Sequence, residues 1–233
     1  MCARYTQIRD LQAILALVQC RGGLPAWMPR YNIAPQQPAP VIVRTQEATE
    51  LKLMRWGLVP SWAEDAKIGA QLINARAETL RQKPSFREAF ARRRCLVLAD
   101  GFYEWETTPA GKRPWRFVLR DEAPFCFAGL WAVWQPRPAA QTELFSTDTP
   151  PAGPLETFTI ITTTANDLVR PIHDRMPVIL TGEALRLWLN PASPPQELQK
   201  LLQPFPADAM LRLPASRRVN RPGAEGPECL EPE

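Results

Sequence analysis

Removal of Met1 from this chain would leave an α-amine and a thiol on the same residue, Cys2. Initiator methionine is commonly trimmed when a small residue follows it. The resulting 1,2-aminothiol has chemistry that no internal cysteine has. Its amine condenses with an aldehyde, and its sulfur then closes a five-membered thiazolidine ring. The α-amine titrates at about 7.7–8.0 and the thiol at about 8.5, so part of the amine is unprotonated near neutrality. The competing reading is a frayed terminus with an incidental cysteine. Aldehyde capture also needs a proton shuttle and a group that holds the amine. His173 is the sole histidine. It stands in Pro171-Ile172-His173-Asp174-Arg175-Met176-Pro177, where flanking prolines limit backbone freedom and Asp174 and Arg175 can orient the ring. Glu104 lies in Asp100-Gly101-Phe102-Tyr103-Glu104-Trp105-Glu106. Strand alternation puts Glu104 on the face of Phe102 and Glu106, with aromatics around it. Desolvation there raises a carboxyl pKa and suits proton transfer, whereas a charged edge face in water would not. Asn74, in Leu72-Ile73-Asn74-Ala75-Arg76-Ala77-Glu78, reads either as a helix N-cap or as an amide aimed into a pocket, with Arg76 reaching a phosphate.

Composition narrows the chemistry. The five cysteines, Cys2, Cys20, Cys95, Cys126 and Cys229, are odd in number and form no CxxC. A disulfide framework or zinc knuckle is therefore not expected. One histidine excludes a multi-histidine metal site, and neither metal nor cofactor is expected. No apolar run approaches the 18 or so residues that span a bilayer, and no signal segment precedes Cys2, so a cytoplasmic protein is expected, nucleoid-associated if bacterial. The net charge is only +4, but basic residues cluster. Arg76, Arg81, Lys83, Arg87 and Arg92 to Arg94 form one group, and Arg217, Arg218 and Arg221 another. Such clusters suit a phosphate backbone or a solvated face. Trp56 and Trp62 flank a turn, and an exposed indole beside arginines suits stacking on unpaired bases. Thr162 to Thr164 end an apolar run, where hydroxyls can meet phosphate oxygens or cap a helix at Thr164.

The positioning elements are short. Residues 7–20 carry helical spacing, and helices are also predicted at 75–81, 85–94, 183–189 and 194–202. Strands are predicted at 40–44, 51–56, 95–99, 102–106, 115–119, 125–134, 157–163 and 177–180. Residues 30–35 read as an extended loop, 135–154 as a surface insertion and 221–233 as a disordered tail. Many short strands with few helices predict an α+β fold, a curved mostly antiparallel sheet or barrel flanked by short helices, in one domain over 1–220.

Taken in order, Met1-Cys2-Ala3-Arg4, Tyr31-Asn32-Ile33-Ala34-Pro35, Trp56-Gly57, Asn74-Ala75-Arg76-Ala77-Glu78, Asp100-Gly101-Phe102-Tyr103-Glu104-Trp105 and His173-Asp174-Arg175-Met176-Pro177 resemble the SRAP family. Its members process abasic sites in single-stranded DNA. The resemblance covers residues 2–220, with Ala3 in place of the family's usual Gly. It implies that Cys2 is the nucleophile, forming a Schiff base through its amine and a thiazolidine through its sulfur. It implies that Glu104 assists ring opening and reversal, that His173 serves the opened sugar, and that Asn74 holds the Cys2 amine. Asn32, Trp62, Arg76 and Thr162 are the implied DNA contacts. The partner is abasic single-stranded DNA, no membrane or metal is implied, a monomer is expected, and the family is also classed as an autopeptidase. Two alternatives stand beside it. One is an N-terminal-nucleophile glutamine amidotransferase, which usually carries an Asn-Gly pair that this chain lacks. The other is a non-catalytic single-stranded nucleic-acid-binding module, which predicts salt-sensitive binding without a covalent product.

Overall fold

The computed structural model describes residues 2–21, 28–136 and 153–232. The first half runs β1 (Tyr5–Gln7), α1 (Gln12–Leu17), β2 (Cys20–Arg21), β3 (Arg30–Ile33), β4 (Pro38–Arg44), β5 (Thr49–Trp56), β6 (Asn74–Arg76) and α2 (Pro84–Arg92). The second runs β7 (Arg94–Ala99), β8 (Gly101–Thr108), β9 (Gly111–Leu119), β10 (Phe125–Trp134), β11 (Leu155–Thr164), β12 (Arg175–Pro177), β13 (Ile179–Leu180), α3 (Glu183–Leu189), α4 (Pro195–Lys200) and β14 (Met210–Pro214). Strands β11, β10, β7, β4 and β5 follow one another, and β5 pairs back onto β11 at Arg55↔Thr157 and Trp56↔Phe158, which closes a five-stranded barrel. A second sheet has the order β14-β9-β8-β1-β3. This is the expected α+β architecture.

Both faces of the barrel wall are covered along β4 and β7. Val41, Val43, Cys95 and Val97 belong to one core cluster, while Ile42, Leu96 and Leu98 belong to another with Phe86 and Phe90 of α2 and Trp188 of α3. Double burial is why these strands read as unbroken apolar runs rather than alternating ones. Gly57, at φ +130°, closes the turn after β5, where a Cβ would sit 2.4 Å from Gln36 Nε2 and 2.5 Å from the Gly69 carbonyl oxygen. No other residue type fits there.

The N-terminal strand is held in place from several sides. Tyr5 packs edge-on against Trp56 at 5.3 Å and Phe127 at 5.6 Å. Buried Asp100 accepts from Thr6 Oγ1 at 2.5 Å, from the Ile8 amide and from the Arg9 amide at 2.6 Å, and it pairs with Arg116 at 3.0 Å. Asp100 therefore does more than start a turn, because it anchors the segment that leads to Cys2. We expect Asp100→Asn to destabilise the protein by about 3–5 kcal/mol by leaving Arg116 buried without its counter-charge. A thermal melt checks this, and a loss of roughly 10 °C is expected.

Several expectations are corrected. The helix expected over 7–20 shrinks to α1, because Gln7 pairs with Arg30 of β3 at one end and Cys20 with Thr49 of β5 at the other. The helix expected at 75–81 is β6 followed by a 3-10 turn, Ala77–Thr79, since Asn74 to Arg76 pair in parallel with Ile160 to Thr162. Residues 30–33 of the expected loop form β3 against β1. The tail expected to be disordered is packed: Cys229 is buried, and Glu225 accepts from Arg30 Nε at 2.9 Å and the Tyr31 amide at 2.7 Å. Of the expected insertion, only 135–136 and 153–154 lie within the described residues.

Candidate active site at the N-terminal cysteine

Cys2 precedes β1 and is fully buried in the cluster that includes Tyr5, Trp56, Ile160 and Met176. Burial pushes its thiol well above the usual range, and the charge of Glu104 adds to the rise. The sulfur is thus held as a thiol. Ala3 does not have a positive φ, so the methyl group in place of Gly imposes no left-handed strain.

Asn74 opens β6, and the pairing of β6 with β11 brings its amide to Cys2. Asn74 Nδ2 donates to the Cys2 carbonyl oxygen at 2.8 Å. Its Oδ1 is buried, with no hydrogen-bond partner among the described residues. This amide is therefore not a helix cap. One end fixes the cysteine backbone, and the other is left as an acceptor beside it.

Glu104 sits in β8 and is 3% exposed. Burial raises its carboxyl from 4.5 to about 7, against the pull of the amino-terminal charge and with a further push from Asp174. It is thus near half-protonated at neutral pH, as a group that both takes and gives protons must be. Glu104 acts electrostatically on Cys2, and Asp174 on both Glu104 and His173. Thiol, carboxyl and imidazole therefore lie in one locality.

His173 is carried by the turn between β11 and β12. Asn166 shapes that turn by accepting from the amides of Leu168 at 3.2 Å and Val169 at 3.0 Å, the capping role that the sequence placed at Thr164. His173 Nδ1 accepts the Arg175 amide at 2.9 Å. Asp174 Oδ1 also lies 3.1 Å from Nδ1; while Nδ1 accepts the amide, the neutral ring carries its proton on Nε2. Partial burial and the amino-terminal charge lower its pKa, with Asp174 opposing them. Arg175 ties the turn to β11 and to the 3-10 turn after β6: its guanidinium forms a fork to Glu78 at 2.7 and 2.9 Å and donates to the Thr162 carbonyl at 2.6 Å.

The implied DNA contacts divide. Arg76 is exposed, and Trp62 is 49% exposed beside a surface cavity of about 460 Å³ that Lys67 and Ile68 also line. Asn32 and Thr162 are buried. Asn32 Oδ1 accepts from Arg4 Nη1 at 2.8 Å, and its Nδ2 donates to the carbonyls of Arg221 at 3.1 Å and Ala224 at 2.9 Å. Its amide is fully engaged inside the protein. Thr162 supports Arg175 rather than a surface.

Sequence reasoning missed Arg4. Its Nη1 also reaches the Val219 carbonyl at 2.6 Å, and its guanidinium lies 5.7 Å from the centroid of a Trp105 ring. It ties the N-terminal strand to the chain's end and to the residue after Glu104. An arginine two residues from a cysteine gives no sign of partners more than two hundred positions away.

Among the described residues, no group of three or more His, Cys, Asp or Glu is placed to hold a metal ion, and no helix is long and apolar enough to cross a membrane.

Comparison with known proteins places this geometry. The family model described as SOS response associated peptidase (SRAP) matches residues 1–222. Abasic site processing protein YoqW of Bacillus subtilis is 43% identical over 235 residues, covering 99% of each chain. Abasic site processing protein HMCES of Gallus gallus is 36% identical over 242 residues, covering 92% of this chain and 71% of that one. A crystal structure of a protein from Bacteroides thetaiotaomicron superposes with a TM-score of 0.84 at 27% identity, covering both chains completely.

Proposed function

This chain belongs to the SRAP family, and on that footing we propose that it captures abasic sites in single-stranded DNA as a thiazolidine built on Cys2 after Met1 has left. The observation that carries the reading is the 2.8 Å bond from Asn74 Nδ2 to the Cys2 carbonyl. It ties the amide of one family motif to the nucleophilic residue itself and leaves Oδ1 to accept from the cysteine amine.

The steps follow from the groups present. Glu104, as carboxylate, takes the proton of the sugar's anomeric hydroxyl while the bond from C1′ to the ring oxygen breaks, which yields the aldehyde. Glu104 passes that proton to the released ring oxygen, which His173 holds through its Nε2–H, so the oxygen becomes a hydroxyl. The Cys2 amine then adds to C1′, and its two protons pass in turn through Glu104 to the former carbonyl oxygen, so water leaves and an imine forms. The thiol then adds across the C=N bond: sulfur bonds C1′, and the thiol proton passes to nitrogen. A sulfur kept protonated until that step does not compete with the amine for the aldehyde. Amine, thiol and aldehyde held together react as one molecule, which removes much of the entropic barrier. Arg76 and Trp62 would guide the strand by charge and stacking.

Incubation with a single-stranded oligonucleotide carrying one abasic site, followed by a denaturing gel, tests the proposal. A shifted band that survives heating is expected, and its absence would overturn covalent capture.

A further inference from the structure

The sheet face that carries Glu104 continues outward to a tryptophan held between two arginines. In the β8–β9 pairing Glu104 stands opposite Trp115, Glu106 opposite Arg113 and Phe102 opposite Phe117. In the β9–β14 pairing Phe117 stands opposite Arg212. Directly paired residues point to the same face, so Glu104, Trp115, Arg113 and Arg212 share one. The guanidinium carbons of Arg113 and Arg212 each lie 4.5 Å from the centroid of a Trp115 ring. Arg113 comes from two residues before Trp115, and Arg212 from the level of two residues after it. They therefore approach the indole from opposite directions along β9. Trp115 Nε1 donates to Glu106 Oε2 at 2.9 Å, which fixes the ring and occupies an oxygen of the nearest carboxylate.

Arg113 and Arg212 are exposed, and among the described residues neither has a hydrogen bond or an ion pair. Their charges stand no more than about 9 Å apart, within a Debye length of about 10 Å at 0.1 M salt. Among the described residues neither lies within 4 Å of a carboxylate, since the nearest one, Glu106, bonds the indole. An arginine fork that gives no N–H to the protein keeps its donors for two-point contact with a phosphate. The surface presents two exposed arginines at two levels of β9, which suits an extended polyanion. It is also continuous with the proposed site, since Trp115 packs against the cluster that holds Cys2.

We infer that Arg113 and Arg212, braced on Trp115, form a phosphate clamp on the DNA backbone flanking the nucleotide that reacts at Cys2, taking single-stranded DNA as substrate on the reading above. The test is equilibrium binding of the whole protein to an intact single-stranded oligonucleotide without a lesion, between 50 and 200 mM salt. That strand reads the clamp and not the covalent step, whereas the gel on the abasic strand reads capture by itself.

Each phosphate contact to a single strand contributes about −0.7 to the slope of log affinity against log salt. Arg113→Gln with Arg212→Gln is expected to make the slope shallower by roughly 1.4, so that wild type loses about sevenfold more affinity than the variant across that range. Arg113→Lys with Arg212→Lys keeps the charges and is expected to restore most of the slope. An unchanged slope in the Gln variant overturns the clamp, and so does an equal loss in the Gln and Lys variants. Inorganic phosphate at matched ionic strength is expected to compete no better than chloride. Displacement of the strand by phosphate alone, or by polyglutamate as readily as by unlabelled oligonucleotide, overturns the assignment in favour of a free anion or an acidic peptide.

Discussion

Cys2→Ser is expected to abolish the heat-stable cross-link to an abasic strand while leaving a transient imine that borohydride traps. The substitution keeps the α-amine and nearly keeps the volume of a side chain that is completely buried. What it removes is sulfur, a far better nucleophile toward the imine carbon than a hydroxyl, and with it the stable ring. The same variant separates the two halves of the aminothiol, because condensation belongs to the amine and permanence to the thiol. A gel run with and without borohydride reads both. If the Cys2→Ser protein gave a cross-link as durable as wild type, ring closure by sulfur would be wrong. Intact-mass measurement of both proteins confirms that Met1 is absent from each, so that the comparison concerns sulfur and not a blocked amine.

How much of this arrangement was readable from sequence depends on the range of the contacts. Strands β4, β7, β10 and β11 fall where apolar runs placed them, because barrel strands buried on both faces give a signal within each segment, and β5, β8 and β9 fall there through their own apolar and aromatic residues. Asn74 was ambiguous because an asparagine suits a helix cap as well as the first residue of a strand. The strand reading depends on Ile160, its partner in β11 86 positions away, and no local pattern carries that distance. The tail failed for a related reason. Its polar, proline-containing composition resembles disorder, yet backbone carbonyls of Val219, Arg221 and Ala224 accept bonds from Arg4 and Asn32. Carbonyls have no sequence signature, so neither the docking of the tail nor the burial of Asn32 shows in composition. His173 was more accessible to reading, since the group that sets its tautomer is the amide two residues on.

Glu104→Gln should slow capture by roughly a hundredfold, within the usual range for losing a positioned acid–base group, and should stabilise the protein only as pH rises toward and past neutrality. The amide is nearly isosteric with the protonated carboxyl but neither takes nor gives a proton. Wild-type capture is expected to rise with pH through about 7, where Glu104 becomes the carboxylate that accepts the anomeric proton. The variant should lack that limb. Stability moves the other way. The folded protein holds the Glu104 proton up to about 7, against an ordinary 4.5. That contribution is complete below pH 4.5 and is lost as pH rises through 7, when a charge must sit in a site that excludes water. Glutamine has no such loss. Relative to wild type, the variant should gain nothing in acid and roughly 3 kcal/mol above neutrality. Denaturant melts at pH 4 and pH 8, set beside single-turnover capture rates, measure both effects on the same preparations. A variant that captured slowly but was less stable than wild type at pH 8 would make Glu104 a structural group, and the proton shuttle would have to lie elsewhere.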